Sequence, residues 1–467
     1  MDSEKAGATN SIFSRDYLAA VAVMCVIMMN VLDTTIVNVA LPTLAQCFGV
    51  SDTAITWVAN SYLMLIPMLM LSFSLAGDVW GYKRMFVIGT VLFGLGSLVC
   101  GMSLTFAQLI AGRMMQGVGA AGVMSVNTAL VRIIFPREKL PIAMGVNAMV
   151  VAVSSAAGPT LAGVILHFLS WQWMFFINVP VAVIAIVIGV RLLPRNPASQ
   201  GGKARFHWSS AIMNFAFFGL MFHGLDEFAQ HGFSVTAGIE VALGTALGIV
   251  YMHRQTRIAT PLFPVDLMRN STFALSVGTS ICSYTAQSLA YVSLPFFLHY
   301  VMHYQAVAIG AMITPWPLAT VITAPLAGKL VCRFRAGIIC TVGMLLLAIG
   351  FALLLLMHEG SPAWQMAATL ALCGVGFGLF QTPNNVTLVS SAPTHRSGGA
   401  SGMLGTARVI GQTVGTTLAA LMLRLFTDEQ QASACLVAGI AMAIAAAIVS
   451  SMRLKDSGAH AASNIKA

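Results

Sequence analysis

Met29–Pro42 reads MNVLDTTIVNVALP and completes an apolar run from 17 to 41. That run is long enough to cross a bilayer as a helix. Asp33 lies inside it. A carboxylate at membrane depth costs roughly 3 kcal/mol on insertion scales. Such a group faces a bundle interior or a watery cavity, and it is either locked in a structural pair or set to exchange a proton.

The rest of the chain has the same apolar character. Its 467 residues are 58% hydrophobic and 8% charged, with a mean hydropathy of +0.84. Soluble domains carry roughly 25% charged residues. The composition therefore predicts an all-α polytopic membrane protein. A net charge of +9 would suit nucleic acid, but the basic residues are spread over short loops rather than gathered in one patch. The eight cysteines show no CxxC spacing and read as small apolar residues. The polar start lacks a small-residue cleavage site, so the first helix is expected to stay.

Fourteen apolar segments can be counted, including 17–41, 54–77, 106–130, 142–166, 307–330 and 401–424. An even count puts both termini on one side. If that side is the cytoplasm, all but three of the 24 Lys and Arg residues lie on or beside cytoplasmic segments, as the positive-inside rule requires. The exceptions are Arg113 and Arg408 within segments and Arg424 near an outer loop.

A shift of 257 residues lays Gly117, Gly119, Asn127, Pro136, Gly145, Gly158 and Leu161 on Gly374, Gly376, Asn384, Pro393, Gly402, Gly415 and Leu418. The chain divides accordingly into a six-helix half at 1–193, a linker with two inserted helices at 194–270, and a second six-helix half at 271–467. Parallel six-helix halves are a transporter design with the substrate site near the bilayer midplane. Ser154, Gly158 and Ala162 form a small-residue ridge for close helix packing, and Gly411, Gly415 and Ala419 repeat it. Pro159 removes a backbone donor and can bend its helix.

Counted from the outer ends of their segments, Asp33 and Arg113 both lie roughly 10–12 Å deep at 1.5 Å per residue. They are candidates for a direct or water-bridged pair in which Asp33 titrates, since Arg keeps its proton. Gln116, one turn from Arg113, can join the cluster. The second half has no matching acid, and Arg408 is expected to be structural or gating. Glu240, near the end of an inserted segment, can reach water. Trp57, Asn60, Tyr62, Gln116, Tyr284, Gln287, Trp316 and Gln381 are candidate cavity residues. Aromatic walls with few charges suit amphipathic cations or flat hydrophobic compounds. No Walker loop, HExxH or GxSxG is present, so neither an ATP-driven pump nor an enzyme is expected, and no cofactor or metal.

These residues resemble the major facilitator superfamily. SLAGDVWGYKRM (74–85) is similar to its GxxxDxxGxRR loop, with Ser74 for the first glycine and Val79 and Tyr82 where the family has basic residues. RMMQGVGAAG (113–122) resembles the segment-four RxxQGxGxA motif, and GVNAMVVAVSSAAGPTLAG (145–163) the GP-containing antiporter motif. LDTTIVNVALP (32–42), SWQWMFFINVP (170–180) and the segment count resemble the fourteen-span drug:proton antiporters. The resemblance implies proton coupling at Asp33 and Arg113. It implies gating by Asp78, Gly81, Lys83 and Arg84, where the aspartate docks on a helix end of the other half, and by Gly158, Pro159 and Arg408. The expected function is proton-coupled export of hydrophobic or cationic drugs across a bacterial inner membrane by alternating access. Export of one endogenous metabolite, or a transport-inactive receptor or scaffold, are the competing readings. The expected partners are a small-molecule substrate, protons and the lipid bilayer, not nucleic acid, with the chain acting as a monomer.

Overall fold

Helix follows helix in the computed structural model, which describes residues 2–194, 206–232, 234–302, 309, 312–426 and 428–464. The stretch 195–205 of the expected linker and most of the start of the segment expected at 307–330 lie outside the described residues. The first long helices are α1 (Asp2–Phe48), α2 (Trp57–Trp80), α3 (Tyr82–Gly101), α4 (Phe106–Ile134), α5 (Leu140–Phe168) and α6 (Asn178–Leu192). Two more follow, α7 (Trp208–His231) and α8 (Val235–Gln255). Then come α9 (Ser271–Phe296), α10 (Pro315–Leu330), α11 (Ala336–Leu355), α12 (Ala363–Ser390), α13 (Ser397–Leu425) and α14 (Asp428–Asn464). Strands do not occur among the described residues.

Local sequence explains the helix starts. Thr105 accepts from the Gln108 N–H at the head of α4, Ser234 from Ala237 at α8, and Asn270 from Thr272 and Phe273 at α9. Each side chain satisfies a donor that the first turn leaves open. The chain is a multi-pass membrane protein. Among the described residues, ten helices are long and apolar enough to cross a membrane by length and composition. The fourteen spans expected from the sequence are reached for ten. The other long helices are α7, α9, α10 and α13. Ser and Thr dilute α9, Gly, Thr and Arg408 dilute α13, and α10 has only 16 residues.

The chain groups into two units. One comprises Met1–Leu140, Ser154–Gly219 and Pro393–Gly402; the other comprises Pro141–Val153, Leu220–Ala392 and Met403–Ala467. This grouping differs from the sequence boundaries: 141–153 of α5 belongs to the second unit, 397–402 of α13 to the first, and α7 is divided after Gly219. Within the units the repeat is visible as packing. In the first, a Cβ on Gly119 of α4 would run into Phe93 N and lie 2.6 Å from the Gly89 carbonyl of α3. In the second, a Cβ on Gly376 of α12 would lie 2.6 Å from the Gly343 carbonyl of α11. Lipid tails are as apolar as the helices, so close backbone approach is what these small residues supply. A fully buried apolar cluster including Phe351, Phe380 and Trp316 fills the second unit; Val37, Leu44 and Phe175 belong to one in the first.

Candidate functional site

Asp33 and Arg113 meet in the first unit with side chains 0% and 1% exposed. Arg113 Nη1 donates to Asp33 Oδ2 at 2.5 Å. Gln116 Nε2 and Asn178 Nδ2 donate to Oδ1 at 3.0 and 2.8 Å. Gln116 also donates to Ser97 Oγ at 2.7 Å and accepts from Arg113 Nη1 at 2.8 Å. Arg113 Nε donates to the Val58 carbonyl at 2.9 Å, and its Cζ lies 4.4 Å from the Tyr62 ring centroid.

Backbone packing holds this cluster together. The α3–α4 seam at Gly89 and Gly119 brings Gln116 within reach of Ser97. On the other side, a Cβ on Gly158 would collide with Thr35 Oγ1, so α5 lies against α1 two residues beyond Asp33. α1 itself continues past position 42 to Phe48. Asp33 is therefore farther from its helix end than a count from position 41 gave.

The ionised carboxylate accepts three hydrogen bonds and faces a guanidinium, so its charge is satisfied. A proton added at Oδ2 would turn an acceptor toward Arg113 into a donor. That would weaken the bond it receives from Arg113.

The junction of α2 and α3, where the sequence suggests a loop at 74–85 and only Gly81 is non-helical, forms a second constellation in the same unit. Asp78, 2% exposed at its side chain, accepts from the Gly398 and Gly399 N–H groups at 2.9 and 3.2 Å. These are the open donors at the start of α13, where a carboxylate is favoured by the helix dipole. Tyr82 Oη donates to Asp78 Oδ1 at 2.5 Å and accepts from Gly398 N–H at 3.0 Å. Arg396 Nη1 stands 3.6 Å from Asp78 Oδ2. Gly81 has φ +108°, a conformation that favours glycine. Ser74, where the family pattern has glycine, faces Gly402, whose Cβ would lie 2.5 Å from Ser74 Oγ. The room given up on one helix is restored on its neighbour. Lys83 is partly buried, Arg84 is exposed, and neither reaches Asp78 in a described contact.

In the second unit Gln381 Nε2 donates to Tyr284 Oη at 3.2 Å. Arg408 Cζ lies 5.9 Å from the Tyr284 ring centroid. Trp316 is buried in the same cluster, its ring tilted against that of Tyr291 with centroids 4.9 Å apart. Gln287 is only partly buried. In the first unit Trp57 is 42% exposed and Asn60 partly buried, while Tyr62 and Gln116 belong to the Asp33 cluster. Gly158 is buried and Pro159 is exposed within a continuous α5.

Several polar residues were not singled out by sequence. Asn178 completes the Asp33 shell. Arg453 donates to Ser276 Oγ at 3.0 Å, Asn384 Oδ1 at 2.9 Å and Ser450 Oγ at 2.6 Å. Asn384, which the repeat lays on Asn127, is Arg453's partner. His223 and Glu240 pair at 2.7 Å between α7 and α8, so Glu240 is held by a neighbour as well as partly exposed. Among the described residues no His/Cys/Asp/Glu group could hold a metal ion.

The family model described as Major Facilitator Superfamily matches residues 23–416. An Escherichia coli K12 protein named "Uncharacterized transporter YebQ" is 45% identical over 94% of this chain and 95% of its own length. The "Multidrug resistance protein Stp" of Mycobacterium tuberculosis is 30% identical over 83% of this chain and 72% of its own. A crystal structure of the human organic anion transporter MFSD10 shares the fold, with a TM-score of 0.67 at 15% identity over 93% of this chain and 99% of that one.

Proposed function

Because the chain belongs to the major facilitator superfamily, we propose that it is a proton-coupled exporter of small amphipathic compounds, drugs and toxic molecules among them, working by alternating access. It acts as a monomer in a bacterial inner membrane with both termini cytoplasmic, and α7, α9, α10 and α13 cross the bilayer with the ten more apolar helices. The supporting observation is the enclosed carboxylate of Asp33, satisfied by Arg113, Gln116 and Asn178 at span depth.

In this reading the ionised Asp33 holds Arg113. A proton entering from outside neutralises the carboxylate and frees the guanidinium, and the change in the cluster favours release of bound solute. Loss of the proton to the cytoplasm restores the pair. The docking of Asp78 on the start of α13 favours one conformation and gives way in the other. The name of the Mycobacterium tuberculosis relative supports a drug-exporting role.

The test is transport in proteoliposomes with an imposed pH gradient and an internal pH dye. Wild-type protein should move protons when substrate is added and should drive substrate against its gradient. Full coupled transport by Asp33→Asn would remove the role given to this carboxylate. Wild-type flux in Arg113→Lys would remove the need for a planar guanidinium.

A further inference from the structure

We propose that Arg408, Tyr284 and Gln381 bind the carboxylate of an aromatic anion, so that the exported compounds include aromatic carboxylates rather than lipophilic cations alone. The inference rests on the export reading and names its substrate chemistry.

Arg408 lies eleven residues into α13, roughly 16 Å from the Ser397 end at 1.5 Å per residue. An arginine at that depth is costly unless it meets an anion, a carbonyl or water. From Ser271 to Leu425 the sole acidic residue is Glu359, which is exposed in the loop after α11. No ion pair is formed by Arg408 among the described residues; its described contact is the face of Tyr284. Asp33, the acid of the first unit, is already enclosed by its own three donors.

The surroundings of Arg408 are donors and rings. Gln381 donates to Tyr284 Oη, which leaves the phenol's own proton without an acceptor among the described residues. The Trp316 indole N–H, buried in the same cluster, also lacks one. Phe377 and Phe380 pack against Tyr284 with centroids 5.5 and 6.2 Å away. A guanidinium presents a planar fork of donors that matches a carboxylate in two parallel bonds. A phenolic O–H beside it adds a third donor, and the rings offer a flat apolar wall. A cation would find no acceptor charge here.

The placement is set by backbone. Gly411 is one turn from Arg408, and its Cβ would lie 2.6 Å from the Ile281 carbonyl and 2.8 Å from Tyr284 Cβ. Thr285 Oγ1 donates to the Gly411 carbonyl at 3.1 Å. α13 is therefore laid directly on α9 at this register, which puts Arg408 over Tyr284. Arg408 is partly exposed, while Tyr284 and Gln381 are 4% and 8% exposed. The charged group is the accessible one and the groups that orient it are fixed.

The experiment measures equilibrium binding of radiolabelled 1-naphthoate and 1-naphthamide to the full-length protein in nanodiscs, without a proton gradient. The two probes have the same shape and differ in charge. Wild-type protein should prefer naphthoate by at least about tenfold. Arg408→Gln should bring naphthoate down to the naphthamide level, and Arg408→Lys should keep part of the preference. Tyr284→Phe should weaken naphthoate several-fold and naphthamide less, so that the preference narrows. Equal binding of the two probes by wild-type protein, or a preference that survives in Arg408→Gln, overturns the proposal; the first of these needs no variant to fold. Gradient-driven efflux of ethidium with no naphthoate preference sinks the anion site and leaves the export reading standing. A naphthoate preference with no gradient-driven efflux of either probe does the reverse.

Discussion

Asp33→Asn preserves side-chain volume and one acceptor oxygen while removing the charge. That oxygen can take the Oδ1 place and accept from Gln116 and Asn178. The new amide NH2 then meets Arg113 Nη1 where Oδ2 stood at 2.5 Å. Two donors face each other, and a guanidinium 1% exposed is left without its carboxylate. Removing one partner of a buried pair costs about 3–5 kcal/mol. The Val58 carbonyl and the Tyr62 ring still hold the guanidinium, which points to the lower end, about 3 kcal/mol. Changing Arg113 to Gln in the same chain removes the orphaned charge, and most of that loss should return. Thermal unfolding of purified single and double variants reads the stability, and proteoliposome flux reads the coupling. The single variant should lose proton-driven accumulation yet keep substrate counterflow, which needs no net proton movement. The double variant should regain stability but not coupling. A double variant as unstable as the single one would refute the energetic account, and pH-driven accumulation by Asp33→Asn would refute the mechanistic one.

Arg113→Lys keeps the charge but can no longer reach Asp33, Gln116 and Val58 at once, so a loss of about 2–3 kcal/mol is expected in thermal unfolding, together with impaired coupling. Asn178→Ala removes one donor from Asp33 Oδ1 and should cost about 1–3 kcal/mol and slow proton flux without abolishing it. Gly398→Ala drives a Cβ into Asp78 Oδ1 and within 2.6 Å of the Ser74 carbonyl, displacing two charge-assisted bonds; about 3 kcal/mol should be lost. Gly399→Ala is the control, since its Cβ meets nothing closer than Arg396 Cζ at 3.4 Å, and its unfolding temperature should stay near wild type.

The Asp33 pair was legible because charge inside an apolar run is rare and costly, which limits what such residues can do. Gln116 followed from its place one turn from Arg113. Asn178 did not stand out, because an amide in a span carries no charge to mark it and its partner is 145 residues away in sequence. Tyr82 was concealed by its position: it stands where the family pattern has a basic residue, yet it bonds the same aspartate by its hydroxyl. Arg453 looked like one more basic residue at a helix end, and only packing shows that Ser276 and Asn384 surround it. Spans were read from apolar length, which works where lipid faces a helix. It weakens for α9, whose Ser and Thr residues are buried against neighbours and bond their own backbone carbonyls. Cavity candidates chosen by residue type divided for the same reason: type says what a side chain can do, not whether Trp57 is exposed or Tyr62 lies under a guanidinium.

The repeat conserves seams and discards chemistry. The shift of 257 that lays Gly117 and Gly119 on Gly374 and Gly376 also lays Arg113 and Gln116 on Leu370 and Cys373. In each unit the first glycine of the pair abuts a backbone carbonyl of the second helix, at Tyr62 in one and Trp316 in the other. The approach of the helices is thus the same, while the residues beside it are charged in one copy and apolar in the other. A second enclosed pair would add its own desolvation cost. Under the coupling proposed for Asp33, one pair gives a single protonation event for a single movement. The other copy, relieved of an acid, can expose a lone arginine against aromatic walls, since no carboxylate of its own competes for the guanidinium. Under the two proposals made above, coupling and recognition belong to different halves because one backbone pattern was filled in two ways.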